Sequence, residues 1–410
     1  MTDLGAEQKV VVIGAGQAGL AAAARLRALG YEGMITMVGE EPHYPYQRPP
    51  LSKAYVLGEM TRDRLFLRPK AFYVEQGIKV RTDTGVSGID RKTKRVVLSD
   101  GTNLGYDSLV LATGSTPVRL PSNVSGDLEG VFYIRDLADA DDIAAAMKPS
   151  KRVLIVGGGY IGLEGAAVAA KLGLHVTLVE AGSRILGRVA SAETADYFRD
   201  LHLSHGVDLR EGVGLTSLVG TAGAVQGANL SDGSQIECDI VLIGIGVRPN
   251  DNLAKDAGLV IENGIKTNAR AQTSDLAIYA AGDCASFPWN DQHIRLESVG
   301  NAIDQGECVA ANITGHGANY VPKPWFWSDQ YDVKLQIAGL STGFDRVIKR
   351  QTDAKSLSLW YFARGRLIAA DAMNDPRGYM IAKRLIEAGQ TPDIELLYDP
   401  ATDLKSLLVR

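Results

Sequence analysis

Cysteine is scarce in this chain of 410 residues: only Cys238, Cys284 and Cys308 occur, and no two of them stand in a C-x-x-C spacing. That pattern argues against a disulfide framework, suits a reducing compartment, and leaves too few thiolates for the four ligands of a usual iron–sulfur cluster. Histidine is scattered as well; His202 and His205 lie i,i+3 on a predicted helix, but no third ligand accompanies them, so no metal site is expected. Long apolar runs are missing, none approaching the roughly 18 residues that a membrane helix requires. The opening MTDLGAEQK carries two acids and no apolar core of a signal peptide, and a cytoplasmic protein is expected. Basic excess is missing too. A formal charge of −5 disfavours nucleic acid as a partner, and a hydrophobic share of 45% excludes a disordered chain.

Glycine, by contrast, is plentiful. Forty-five glycines against 15 prolines indicate many tight turns and close backbone approaches rather than low complexity. At about 150 residues per domain, the length suggests two or three domains.

The glycines fall in a repeated pattern. Val10 to Ile13 reads as a strand, Gly14-Ala-Gly16-Gln-Ala18-Gly19 follows, then an Ala-rich helix to about Leu29, a strand from Met34 to Val38, and Glu40. In such a unit the first glycine makes the turn, the second admits a pyrophosphate, the third lets helix and strand pack, and the acid accepts ribose hydroxyls. The unit recurs as Val153 to Val156, Gly157-Gly-Gly159-Tyr160-Ile161-Gly162, a helix through Lys171, the strand His175 to Val179, and Glu180. A lone copy is weak; two in register are strong. Further on, the strand from Asp107 into Ala112-Thr113-Gly114 parallels the strand from Asp239 into Gly244-Ile245-Gly246, and Leu276 to Ala281 runs into Gly282-Asp283. The chain therefore reads as two related dinucleotide-binding halves.

This order of motifs resembles the two-dinucleotide flavoproteins of the glutathione-reductase-like superfamily. The resemblance implies an α/β fold with two Rossmann-like dinucleotide-binding domains, the NAD domain inserted in the FAD domain, plus a C-terminal α+β domain. The expected boundaries are 1–115 and 250–320 for FAD, 116–249 for NAD and 321–410 for the last domain. Glu180 suits the two ribose hydroxyls of NADH and repels a 2′-phosphate. Arg184 is expected along the adenine or a phosphate, although an arginine there can also accept a 2′-phosphate.

Disulfide reductases of that superfamily carry a reactive thiol pair after the first acid, and the segment from Glu40 to Phe72 has no cysteine. In its place stands PYQRPPLSK, Pro45 to Lys53. With GGGYIGLE (Gly157 to Glu164), Leu296 to Val299 and Trp325 to Gln330, it resembles the NADH-dependent ferredoxin reductases of bacterial oxygenase systems. That resemblance implies FAD and NADH as cofactors and a [2Fe–2S] ferredoxin as electron acceptor, feeding a cytochrome P450 or a ring-hydroxylating oxygenase. It implies no membrane partner and a monomer or weak dimer.

Carried over position by position, the resemblance places Gly14, Gly16, Ala18, Gly19, Glu40, Val86, Ala112, Thr113, Gly114, Arg135, Gly282, Asp283 and Val299 on FAD. Arg48 is included although relatives differ there. It places Gly157, Gly159, Tyr160, Ile161, Gly162, Glu180, Arg184, Gly244, Ile245, Gly246 and Glu297 on NAD, Glu297 near the nicotinamide amide. Lys53, held over the FAD by the surrounding prolines, is the cation expected to steady negative charge on the flavin, with Glu164 as its partner. Trp327 is expected near the flavin ring, in a last domain that covers the flavin and helps form the docking face. Arg346, Lys349 and Arg350 are candidates for a basic patch facing an acidic ferredoxin. Two other readings stand beside this one: an NADH oxidase, and an interaction flavoprotein resembling apoptosis-inducing factor, for which a basic surface and a targeting segment would be expected.

Overall fold

The computed structural model describes residues 8–408 except Thr352 and Ala354. The first seven residues, on which part of the signal-peptide expectation rests, lie outside the described residues. The chain divides into two compact units. One comprises the chain up to Gln47, Arg62–Thr116 and Val247–Pro324; the other comprises Arg48–Thr61, Pro117–Gly246 and Trp325–Arg410.

In the first unit five parallel strands stand in the order Ile278–Ala280, Ser108–Leu111, Lys9–Ile13, Met34–Val38, Ile78–Arg81. The central run Val10 to Ile13 is continuously apolar because both faces are covered. Val10 and Val12 enter one core with Leu26 and Val309, while Val11 and Ile13 enter another with Leu109 and Ile278. On one side the helix Gln17–Ala28 packs against the helix Val299–Ile313. Gly306 permits that approach, since a Cβ there would lie 2.6 Å from the Ala18 carbonyl oxygen.

The second unit repeats the arrangement. Its parallel strands run Asp208–Glu211, His175–Glu180, Arg152–Val156, Ile240–Ile243, Val131–Tyr133. The duplication reaches side-chain detail: Asp107 Oδ2 accepts from the Lys9 backbone N–H at 2.8 Å, and Asp239 Oδ2 accepts from Lys151 at 2.8 Å. The halves differ in where the fifth strand comes from, downstream in the first unit and upstream in the second.

An antiparallel sheet completes the second unit, in the order Trp325–Gln330, Val333–Gly339, Arg366–Met373, Leu357–Ala363, Arg346–Gln351, with the helix Pro376–Glu387 packed on it. In the strand Leu357–Ala363, Leu357 to Phe362 are all buried, with no alternation. The reason is that both faces of this sheet are covered. Trp360 and Phe362 pack with Ile381, Leu385 and Leu397, and on the opposite face the Tyr361 hydroxyl donates to Ser191 Oγ at 3.0 Å in the nucleotide-binding half. The antiparallel sheet and the second parallel sheet thus share one unit, and the segment 48–61 belongs with them rather than with the first Gly-rich turn.

Candidate active site

The first Gly-rich turn shows what each glycine does. A Cβ on Gly14, at φ +114°, would fall 2.0 Å from the Ala112 carbonyl oxygen, and one on Gly19 would fall 2.1 Å from the Gly14 carbonyl oxygen. Both glycines are required by the protein's own backbone. Gly16 is different: its φ of −104° is open to any residue, and a Cβ there meets nothing within 4 Å. The space beside Gly16 therefore suits a ligand. Gly16 caps the helix Gln17–Ala28 without a side-chain hydrogen bond, whereas Asp136, Ser191 and Ser298 cap theirs through side-chain oxygens. The first-turn N–H groups are left facing that space, as an anion-binding turn requires.

Around this turn, Thr113 Oγ1 donates to the Asn250 carbonyl at 2.6 Å, and Asn250 Nδ2 donates back to the Thr113 carbonyl at 2.9 Å. Gly114, at φ +71°, accepts from the Asn250 N–H. Asp283 Oδ2 accepts from Ser115 Oγ at 2.9 Å, and Gln305 Oε1 accepts from the Gly282 N–H at 2.7 Å. A Cβ on Gly282 would come 3.0 Å from that of the buried Ala18. Glu40 is exposed at the end of its strand, Val86 opens the strand Val86–Asp90, and Val299 is the first residue of the helix capped by Ser298. Glu297 pairs with Arg295 at 2.8 Å. Asn250 and Gln305, which hold these predicted residues by hydrogen bonds, were not singled out in the sequence analysis, since no motif marks them.

The second turn repeats the distinction. A Cβ on Gly157 would fall 2.5 Å from the Gly244 carbonyl oxygen and one on Gly162 would fall 1.9 Å from that of Gly157, while one on Gly159 meets nothing within 4 Å. Gly159 also caps its helix without a side-chain bond. Glu180 turns back onto the loop: Oε2 accepts from the Gly158 N–H at 2.7 Å and Oε1 from the Gly182 N–H at 2.6 Å. Arg184 directs its guanidinium to carbonyls of its own loop, Ala190 at 2.8 Å and Ser191 at 3.1 Å. Ile161 and Ile245 are exposed beside the turn, and Gly246 has φ +113°.

In PYQRPPLSK the prolines do their work through a 3₁₀ turn, Pro49–Ser52, where proline's fixed φ suits the first helical positions. The turn ends on Lys53, whose Nζ lies 2.9 Å from Glu164 Oε1, with side chains 15% and 1% exposed. Ser52 Oγ donates to Glu164 Oε2 at 2.6 Å, and Ser328 Oγ donates to Oε1 at 2.7 Å. Glu164 thus receives a cation and two hydroxyls. Burial pushes its carboxyl up, and Lys53, Ser52 and Ser328 pull in the opposite direction. Arg48 donates to the Arg135 carbonyl at 2.7 Å, just before the helix Leu137–Met147, and the Tyr55 hydroxyl donates to Asp141 at 2.6 Å.

Glu164 meets Ser328 because two periods match. Phe326 and Ser328 share one face of their strand, Tyr160 and Glu164 one face of their helix. Phe326 packs on Tyr160 with ring centroids 4.7 Å apart, and Ser328 reaches Glu164. Trp327, on the other strand face and half-buried, stacks with Trp325 at 5.4 Å. Ser52 and Ser328 were missed although each sits inside a quoted motif; small hydroxyls carry little signal in a sequence.

One expectation needs correction. Arg350 is not part of a basic surface: Arg346 and Lys349 are exposed, while Arg350 is 3% exposed and donates to the carbonyls of Leu397, Asp399, Pro400 and Thr402. His202 lies in the last turn of the helix Ala192–Ser204 and His205 caps it, and both rings meet Tyr331. His202 is buried against Gln330, and His205 stacks on Tyr331 at 3.7 Å. Among the described residues no group of three potential metal ligands occurs, and no helix is long and apolar enough to cross a membrane.

Two dinucleotide cradles in one chain, the first with the Gly-Asp strand at the edge of its sheet, define a class of nucleotide-dependent redox proteins. Residues 8–306 match the family described as pyridine nucleotide-disulphide oxidoreductase, and residues 325–408 match the family described as reductase C-terminal. Rhodocoxin reductase of Rhodococcus erythropolis is 41% identical over 98% of this chain and 94% of its own. Putidaredoxin reductase CamA of Pseudomonas putida is 40% identical over 99% of this chain and 98% of its own. The crystal structure of the covalent putidaredoxin reductase–putidaredoxin complex superposes with a TM-score of 0.94 at 39% identity, covering 98% of this chain and 99% of that one. The chain belongs to the pyridine nucleotide-disulphide oxidoreductase family, among its ferredoxin reductases.

Proposed function

We propose that this protein carries electrons from NADH through FAD to a [2Fe–2S] ferredoxin that serves a cytochrome P450 or a ring-hydroxylating oxygenase. The observation that carries the proposal is a pair of dinucleotide cradles with no thiol to accept their electrons. All three cysteines are buried and unpaired, and burial pushes the thiols of Cys238 and Cys308 up to about 11. Disulfide chemistry therefore has no nucleophile here, and the acceptor must be external.

When bound, the flavin supplies the conversion between two-electron and one-electron transfer. The space at Gly16 and the uncapped N–H groups after it would hold its pyrophosphate, and Glu40 and Asp283 would accept from its hydroxyls. The same arrangement at Gly159 would hold the nicotinamide cofactor. Glu180 supports NADH: a carboxylate fixed by two N–H groups repels a 2′-phosphate. Lys53 would present a fixed cation to the flavin when it is bound, and Glu164 keeps its Nζ in place. Trp327 is assigned to the flavin ring, and the exposed Arg346 and Lys349 to the face that meets the ferredoxin.

The test is anaerobic stopped-flow. Reduction by NADH at least ~tenfold more efficient than by NADPH, then reoxidation faster by a [2Fe–2S] ferredoxin than by oxygen, is the expected result. Loss of electrons to oxygen alone, with no transfer to ferredoxin, would make the protein an oxidase.

A further inference from the structure

The ion pair at Lys53 is the end of a longer line of buried polar groups. Ser328 Oγ, which donates to Glu164 Oε1 at 2.7 Å, receives Gln330 Nε2 at 3.1 Å. Gln330 Oε1 lies 2.8 Å from His202 Nε2, and His202 Nδ1 lies 3.1 Å from the Tyr331 hydroxyl. Ser328, Gln330 and His202 are each 0% exposed. A core of apolar side chains would fill this space at lower cost, so three consecutive buried polar residues call for a reason.

Each orientation follows from the one before it. A buried carboxylate can only accept, so the single hydroxyl hydrogen of Ser328 is directed at Glu164. The Ser328 lone pair is then the acceptor for the Gln330 amide N–H. That turns the Gln330 carbonyl toward His202, whose Nε2 has to carry a hydrogen. His202 Nδ1 is left bare and accepts from the Tyr331 O–H. Burial holds the His202 imidazole down at about 4, so it is neutral at ordinary pH, as this tautomer demands. The charged and titratable groups around the line are Lys53 at one end, His205 stacked on Tyr331 at the other, and the buried Tyr160 hydroxyl one turn before Glu164.

We propose that Tyr331, His202, Gln330 and Ser328 form a one-way hydrogen-bond chain that aims its donors at Glu164 and so keeps that carboxylate ionised and seated on Lys53. The four are positioning residues for the electron transfer assigned above, and the inference rests on that reading. The line is also bistable. A proton on Glu164 would donate to Ser328, and with the Gln330 amide turned over so that its carbonyl accepts from Ser328 and its N–H donates to His202 Nε2, every bond is reversed and His202 carries its hydrogen on Nδ1. The tautomer of His202 therefore reports the charge of Glu164 across three intervening hydrogen bonds.

Two measurements on the flavin-loaded protein test this. Nitrogen-15 spectra of histidine-labelled protein, with His202→Gln used to assign the signal, should show His202 neutral with its hydrogen on Nε2 between about pH 6 and 9. An Nδ1–H tautomer or an imidazolium in that range would overturn the chain. Secondly, Ser328→Ala should bring a protonated-carboxyl infrared band into the neutral range and slow flavin reduction by NADH by ~tenfold, while Ser328→Thr, which keeps the hydroxyl, stays near wild type. Ala and Thr variants that behave alike, either both at wild-type rate or both slow with an unmoved carboxyl band, would refute it. If the wild type were not reduced by NADH at all, the functional reading would fall, while the tautomer and infrared results would still decide the chain.

Discussion

Glu164 is a carboxylate sealed from water, and such a group is stable only while its partners remain. Lys53 supplies charge, and Ser52 and Ser328 supply hydrogen bonds from elements 112 and 164 residues away. Removing one ion of a buried pair leaves the other uncompensated, at a cost of about 3–5 kcal/mol, whereas replacing both by apolar residues is often neutral. Lys53→Ala and Glu164→Ala are therefore expected to bind FAD, visible in its absorbance, yet to lose about tenfold or more in the rate of reduction by NADH. The double substitution Lys53→Met with Glu164→Leu should unfold at a higher temperature than either single alanine variant while staying slow. Single variants reduced at the wild-type rate would remove the pair from the chemistry.

At the scale of elements, the two Gly-rich turns separate glycines the fold needs from glycines a ligand needs. Gly14→Ala and Gly162→Ala push a methyl into a carbonyl oxygen at 2.0 and 1.9 Å, so both are expected to lower the thermal midpoint of the apoprotein. Gly16→Ala meets no protein atom, so its apoprotein should unfold like wild type while its affinity for FAD falls. A Gly16→Ala protein that unfolds early and binds FAD normally would reverse the assignment.

The contact between the helix Ala192–Ser204 and the last sheet carries a pH dependence. Asp371, 2% exposed, accepts from Thr194 Oγ1 at 2.6 Å and from the Tyr361 hydroxyl at 2.7 Å, and burial pushes it up to about 6. Its folded pKa lies above its unfolded value of about 3.9, so the native state holds this proton more tightly than the unfolded chain. The stability this gives is complete below about pH 4 and is lost as pH rises through about 6, amounting to about 3 kcal/mol by pH 7. Asp371→Asn should therefore raise the thermal midpoint by a few degrees near pH 7.5, with the difference closing toward pH 4. An equal shift at both pH values would show that charge is not the cause.

For the molecule as a whole, folding and cofactor binding are linked. A ligand that binds only the native state stabilises it by about 2.7 kcal/mol at a hundred times its dissociation constant. Stripped apoprotein should melt below holoprotein and be restored by added FAD. FMN, which lacks the pyrophosphate assigned above to the uncapped helix at Gly16, should restore little. Equal rescue by both would mean that the first turn does not hold a pyrophosphate.

Much of this molecule was legible along the chain. A strand of β-branched residues buried on both faces, followed by three spaced glycines and a helix, is a local pattern, and its second occurrence gave the duplicated fold. Lys53 and Glu164 were legible only through resemblance to known reductases. The burial of Arg350 needed the C-terminal segment whose carbonyls it holds, and the uniform burial of Leu357 to Phe362 needed the covering on both sides of their sheet. The segment 48–61 reads as a loop of the first half and belongs by contact to the second unit.

By itself, then, the sequence determined the two cradles and the lack of a reactive thiol, because backbone conformation and residue type are properties of short stretches. Only the tertiary structure decided that Ser52, Ser328, Gln330 and His202 stand behind Glu164. A buried polar group takes its partners from whatever packing brings within hydrogen-bond reach, and that reach extends across more than a hundred residues of chain.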